Sequence, residues 1–321
     1  MKRREFLAAS GVAALSGTWH PALAQAAAVR QGYQTNMWGM PTYYLLRSGA
    51  LEKQGIKYEE FAVPSGNITM QQMVGRQVDL GTYAGPSFII GHARGQLVAI
   101  AQIEEVGKTV RVMARKELNA RRIQDLRGRK IANQTGSSIG NVFVDQIAPK
   151  AGLKKDDWQE VRMNVNDMVA AMAAKTVDAM INVEPYNAIA EADGIAATIM
   201  NYWDVDRMPV FMAATPEFVE KNPKAVVSYL KAWLAVADDF KNNKKKVSDT
   251  IYAFYTSKGY KMAPDTFAKA VGTIDVNPGF PSQVTKYMQQ QAEVLLREKK
   301  IKEIPDWKKA LRPEFMQRAR G

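Results

Sequence analysis

From residue 29 onward, short apolar, β-branched runs alternate with amphipathic stretches of helical period. Residues 29–33 read as a strand. Residues 41–48 read as a helix with Pro41 in its first turn, where a missing N–H costs nothing. Residues 56–63 alternate as a second strand, and residues 67–75 form a helix with Ile68, Met70 and Met73 inward. A strand over 77–81, a helix over 86–93 and strands over 97–102 and 109–114 complete this series.

A second series of the same kind follows. Strands are expected at 129–132, 161–163, 177–181, 198–200 and 210–213, with helices at 138–148, 167–175 and 186–192. In the helix at 138–148, Ile139, Val142, Phe143 and Ile147 make one continuous apolar face. Beyond Pro223 the pattern is almost wholly helical, and Val226, Val227, Leu230, Trp233, Leu234 and Ala237 share a stripe that reads as core. Alternating strands and helices specify an α/β fold layered around parallel sheet. The two series suggest two lobes, with residues 25–114 and 210–321 forming a discontinuous first lobe and 115–209 the second.

The first 24 residues have a different pattern. Lys2, Arg3 and Arg4 precede an apolar run too short to span a bilayer, and Ala22-Leu23-Ala24 offers a cleavage site. This reads as a removable export signal, of either the twin-arginine or the general secretory kind, and implies a periplasmic protein. The formal net charge of the whole chain is +12; the signal carries three positive charges and one negative, leaving +10 on the remainder. A basic balance favours anionic ligands, and its scatter along an exported chain argues against a nucleic-acid partner. Cysteine is absent and His92 is the one histidine beyond the signal. Thiolate chemistry is thereby excluded. The usual hydrolase and zinc constellations lack their residues, so the chain reads as a non-enzyme with no cofactor and no metal.

Ligands in open α/β sheets collect beyond the carboxyl ends of the strands. Four segments lie there. Gln34, Asn36 and Trp38 follow the first strand; Ser65, Gly66 and Asn67 follow the second; Tyr83, Ala84 and Gly85 precede the helix at 86; and Thr135, Gly136, Ser137 and Ser138 open the helix at 138. The last three combine small residues, hydroxyls and backbone N–H groups at helix N-termini, which bind anions without an arginine. Each taken alone is equally an ordinary helix cap. Tyr33, Trp38, Tyr43, Tyr44 and Tyr83 offer stacking surface to a planar ligand or belong to the core. Glu184 either accepts a hydrogen bond from a ligand or caps the helix after Pro185. Glu104 and Glu105, as neighbours on extended chain, point apart and read as exposed charges.

At these loops the chain resembles the solute-binding proteins of the nitrate, taurine, aliphatic-sulfonate and thiamine-pyrimidine-precursor transporters. The resemblance rests on Gly32-Tyr33-Gln34, Phe61 with Pro64-Ser65-Gly66, Val78-Asp79-Leu80-Gly81, residues 125–132, Thr135-Gly136-Ser137-Ser138, Val177-Asp178-Ala179 and Glu184-Pro185-Tyr186. It implies a two-lobed periplasmic-binding-protein fold with two crossovers, closing by hinge motion on a small organic anion such as a sulfonate or carboxylate. It further implies contacts from Gln34, Ser65, residues 83–85 and 135–138 and Glu184. The partners would be an ABC permease and its ATPase, with the protein itself a monomer that meets the membrane through the permease. A neutral or pyrimidine-type solute and a sensor role are the alternatives. An enzyme of the pyrimidine-synthase branch would need the cysteines this chain lacks.

Overall fold

The computed structural model describes residues 28–321, so the export signal expected at 1–24 lies outside the described residues. Eleven strands are described: β1 Val29–Gln34, β2 Tyr58–Val63, β3 Leu80–Ala84, β4 Val98–Glu105, β5 Val110–Arg115, β6 Lys130–Asn133, β7 Gln159–Arg162, β8 Ala179–Val183, β9 Ala196–Asn201, β10 Pro209–Ala214 and β11 Asp275–Gly279. They form two sheets, one of six strands in the order β11-β4-β10-β3-β1-β2 and one of five in the order β7-β6-β8-β5-β9.

Both sheets are mixed, which corrects the parallel expectation. β1 pairs in parallel with β2 and β3, and β6 with β7 and β8. β10 runs antiparallel to β3 and β4, and β5 antiparallel to β8 and β9. The physical reason is connectivity. β5 and β10 are the first strands entered after the chain passes from one sheet to the other, so no helical crossover sets their direction. The strand at 109–114, assigned from sequence to the first lobe, is β5 and lies inside the second sheet. β11 breaks the helical expectation after Pro223. Its Pro278 is tolerated because β11 sits at a sheet edge, where one side of the strand needs no ladder bonds.

β3 begins three residues later than its apolar pattern implies. Arg76 turns the chain at φ 59°, and the Asp79 carboxylate is held by Arg30 at 2.6 and 3.0 Å, which fixes the approach to the strand. The stretch 82–84, read as loop, is therefore strand running directly into the helix Gly85–Gly95.

Alternate residues of β10 serve opposite faces of the six-stranded sheet. Met212 and Ala214 join Val226, Tyr229, Leu230 and Trp233 of the helix Pro223–Asn242 on one side, while Phe211 and Ala213 join Phe88, Met288 and Leu295 on the other. The second sheet has its own core of Val112, Ile131, Phe143, Met168 and Ile181. Each fully buried side chain of this size contributes about 1.5–3 kcal/mol. Glu104 is a correction: it is 2 % exposed, covered by β11, and burial near Asp275 pushes its carboxyl well above the usual range.

The chain passes between the sheets at residues 106–109 and 202–208. The two passages are themselves paired: Val106 N–H donates to Met208 O at 3.2 Å and Gly107 N–H to Arg207 O at 2.8 Å. A Cβ on residue 107 would lie 2.6 Å from Asp206 O and 2.9 Å from Arg207 Cα, so only glycine permits this approach. The Trp203 ring carries both Lys108 and Arg207, whose charges stand 4.4 and 4.7 Å from its centre.

Asp206 is buried beside this pairing, accepting from Met208 N–H at 2.8 Å and from Tyr287 Oη–H at 2.9 Å. Burial pushes its carboxyl up to about 6, against these hydrogen bonds and Lys150.

Two outcomes are expected. Gly107→Ala forces backbone apart and lowers stability by about 1–3 kcal/mol, read as a lower midpoint in urea; an unchanged midpoint would refute the tight crossing. Because the folded pKa of Asp206 is raised, its stabilising contribution is complete below about 3.8 and is lost as pH rises through about 6. Thermal midpoints of the natural protein minus those of Asp206→Asn should fall between pH 4 and pH 7, and a flat difference contradicts the assignment.

Candidate functional site

The carboxyl ends of β1, β3, β6 and β8 face one another across the gap between the sheets. They enclose a cavity of about 20 Å³, close to the space of one water molecule, lined by Gln34, Asn36, Trp38, Gly66, Asn67, Tyr83, Ala84, Ser87, Gln134, Ser137, Ser138, Ile139 and Val183. Both lobes contribute, and Ser87 Oγ and Ser138 Oγ meet across it at 3.0 Å.

On the first-lobe side, Gln34 leaves β1 nearly fully buried. Its Oε1 accepts the Gly66 N–H at 2.8 Å, which orients the carboxamide and leaves Nε2 as a buried donor without a protein partner. Gly66 admits this geometry because a Cβ there would strike Tyr83 Cβ at 2.6 Å. The helix Gly66–Val74 starts at this point, with Ser65 Oγ accepting from Ile68 N–H at 3.4 Å as its cap. The helix Gly85–Gly95 starts beside it with no side-chain cap on its first-turn N–H groups.

On the second-lobe side, Gln134 follows β6, and its Nε2 is likewise buried without a partner. Ser137 Oγ donates to Gln134 O at 2.6 Å and accepts from Gly140 N–H at 3.3 Å, capping the helix Ser138–Val142. Three helix N-termini therefore meet at one small cavity, where each presents partial positive charge.

The structure brings together nine of the fourteen residues singled out from sequence: Gln34, Asn36, Trp38, Gly66, Asn67, Tyr83, Ala84, Ser137 and Ser138. The other five lie apart from the cavity. Ser65 is a cap, Gly85 packs against Tyr287, and Thr135 and Gly136 are exposed on the outer turn of their loop. Glu184 is fully buried within the second lobe. Its Oε1 is 2.6 Å from Arg111 Nη2, its Oε2 accepts from Ala188 N–H at 3.1 Å, and its carbonyl accepts from Met37 N–H at 3.3 Å. Burial raises its carboxyl while Arg111 and the Ala188 N–H oppose that rise. Of its two sequence readings, the helix cap is the one its bonds fulfil.

The aromatic group disperses in the same way. Tyr33, Tyr44 and Tyr83 are core, with Tyr44 bound to Asp239 and Tyr83 to the Met73 sulfur. Trp38 lines the cavity but spends its indole N–H on Thr109 Oγ1 at 2.6 Å. Four lining residues were not chosen as contacts: Ser87 and Gln134, which belong to the loop segments expected to carry binding, and Ile139 and Val183. The signal for Gln134 was its place at the exit of β6, matching Gln34 at the exit of β1. That for Ser87 was a hydroxyl in the first turn of an uncapped helix. Among the described residues, no group of three acidic or histidine side chains could hold a metal ion, and no helix is long and apolar enough to cross a membrane.

The family model described as NMT1/THI5 like matches residues 39–246, nearly two thirds of the sequence. The chain belongs to that family. A candidate binding protein of Brucella abortus is 32% identical over 260 residues, covering 79% of this chain and 78% of the relative. A candidate aliphatic sulfonates-binding protein of Escherichia coli K12 is 27% identical over 251 residues, covering 77% of each. Among solved structures, the alkanesulfonate-binding protein of Xanthomonas axonopodis pv. citri bound to MOPS superposes with a TM-score of 0.79 at 19% identity, covering 90% of this chain and 99% of that one. The periplasmic nitrate-binding protein of Synechocystis gives 0.72 at 13%, covering 91% and 88%. These fix the fold as that of the periplasmic binding proteins.

Glu184 provides the check on this assignment of roles. Glu184→Ala should leave Arg111 without its buried partner and the helix Tyr186–Ala192 without a cap, lowering stability by about 2–4 kcal/mol. A variant of unchanged melting temperature would show that Glu184 is not a structural residue.

Proposed function

We propose that this chain is the extracytoplasmic solute-binding component of an ABC importer, and that its lobes close on a small organic anion such as a sulfonate or carboxylate. One observation carries the reading. Two buried amide donors, Gln34 Nε2 and Gln134 Nε2, and the starts of three helices meet at a cavity whose lining contains no carboxylate. Such a set of donors is complementary to an acceptor-rich, negatively charged group. A cation would find no acceptor charge there. The sulfonate- and nitrate-binding names of the relatives, and the MOPS in one of the structures, support the same class.

A volume of about 20 Å³ cannot hold a molecule of that size, so binding requires the lobes to separate. The paired passages at 106–109 and 202–208 are the natural hinge, since two strands of backbone connect the two sheets. Capture then follows a simple rule: a solute favours closure only by its tighter binding to the closed lobes. Anion would first meet the ends of the helices Gly66–Val74 and Gly85–Gly95, and closure would add Gln134 and the helix Ser138–Val142.

Thermal unfolding against a panel of alkanesulfonates, taurine, short carboxylates and nitrate tests the proposal, with pyrimidines as the neutral arm. A bound anion at a hundred times its Kd adds about 2.7 kcal/mol, a shift of several degrees. Gln34→Ala and Gln134→Ala should each weaken the best anion about tenfold; Gln34→Ala also lowers the unliganded midpoint, because the buried Gly66 N–H loses its acceptor. Absence of any shift with every anion, or a response confined to the pyrimidines, would sink the anion reading.

A further inference from the structure

A second set of contacts joins the lobes outside the ligand cavity. The helical run that opens at Ser138 carries Asn141 and Asp145 at the i+3 and i+7 positions, on the same face as Ser138. All three reach across to the first lobe. Ser138 meets Ser87 in the cavity, whereas Asn141 and Asp145 meet Lys300, whose Nζ lies 3.3 Å from Asn141 Oδ1 and 2.8 Å from Asp145 Oδ2. The Asp145 side chain is only 8 % exposed and that of Lys300 is 32 % exposed, so this ion pair is partly withdrawn from water. Beside it, Gln146 Nε2 donates to Gln291 Oε1 at 3.3 Å.

The first-lobe partners belong to one packed element. Gln291 lies on the helix Val284–Arg297, and Lys300 follows three residues after its end. Val284, Met288, Ala292 and Leu295 anchor that helix in the core, and Gly85 at the start of the cavity helix packs against its Tyr287. Gln291 Nε2 in turn donates to Asp206 Oδ2 at 3.1 Å, within the second passage between the lobes. A continuous chain of contacts thus runs from the passage, through Gln291, to Gln146 on the opposite lobe.

We propose that Lys300 with Asp145 and Asn141, together with Gln291 and Gln146, forms a latch that holds the lobes closed whether or not the cavity holds a solute. The inference rests on the reading that the lobes open and close. These are positioning residues: none lines the ligand cavity, and they act on affinity through the open-to-closed equilibrium. Part of the closing free energy is then supplied in advance, and the solute has less to provide.

The absence of cysteine lets a spin-label pair be placed at Lys53→Cys and Lys155→Cys, exposed positions on the first and second lobes. Distances between the labels, measured by pulsed electron resonance without added solute, should show a dominant short population. Lys300→Ala should raise the ratio of long to short distances roughly tenfold, the worth of one charge-assisted hydrogen bond. Gln146→Ala should do so more weakly. Lys300→Arg, and the swapped pair Lys300→Asp with Asp145→Lys, should restore the short population, which a merely structural loss would not. Distance distributions that are identical in the natural protein, Lys300→Ala and Gln146→Ala overturn the latch. Failure of the anion reading is seen separately in Lys300→Ala, as a long-distance population that persists unchanged when alkanesulfonate, taurine, carboxylate or nitrate is added, while its shift relative to the natural protein remains.

Discussion

The backbone pairing of Val106 and Gly107 with Arg207 and Met208 is the constraint on which the rest of the molecule depends. It ties the two passages into one short ladder and so fixes where the two sheets stand. The carboxyl ends of β1 and β3 then face those of β6 and β8. Strand ends are where helices begin, and helix beginnings carry unsatisfied N–H groups. A pair of sheets joined in this way therefore brings donors from both sides to one place. The site is a consequence of the crossing, not an addition to it.

Energetics point to the same place. A buried donor left unpaired costs about 1–3 kcal/mol, and folded proteins keep few of them. Gln34 Nε2 and Gln134 Nε2 are two such donors, at matching exits of the two lobes and lining the same cavity. Two other buried polar groups near the lobe junction are satisfied: Glu184 has partners for both oxygens, and Asp206 accepts from Met208, Tyr287 and Gln291. Two unspent amide donors converging on one cavity between lobes point to a function that the fold itself does not need.

What could be read along the chain followed from short-range physics. Alternation and helical period placed the strands and helices through residue 213, and Gly and Ser at helix starts marked the loops that meet at the cavity. What could not be read depended on distant partners. β3 was misplaced because Arg30 grips Asp79 from another strand, and β11 was missed because its Pro278 is allowed only at an edge that sequence does not announce. Glu104 looked exposed because the strand that covers it lies some 170 residues onward. Glu184 looked available for a ligand because Arg111, its partner, comes from a neighbouring strand of the same sheet. Local pattern finds elements and caps; it cannot tell which polar side chains have already been claimed.

The two inter-lobe contact sets have different chemistry, and that difference matters to how a receptor of this design would behave. Within the cavity the lobes meet through a hydroxyl pair, Ser87 and Ser138, which a solute's acceptors would displace, and beside it through the Met37 N–H bond to the Glu184 carbonyl. The outer set joins them through a half-shielded charge pair that no solute touches. If the outer contacts were too weak, a solute would have to supply the whole cost of closure, and affinity would fall by the fraction of molecules already closed. If they were too strong, the lobes would stay shut over a cavity with room for one water, and nothing could enter. An ion pair with one partner still about a third exposed sits between those limits, strong enough to bias the equilibrium and wet enough to break.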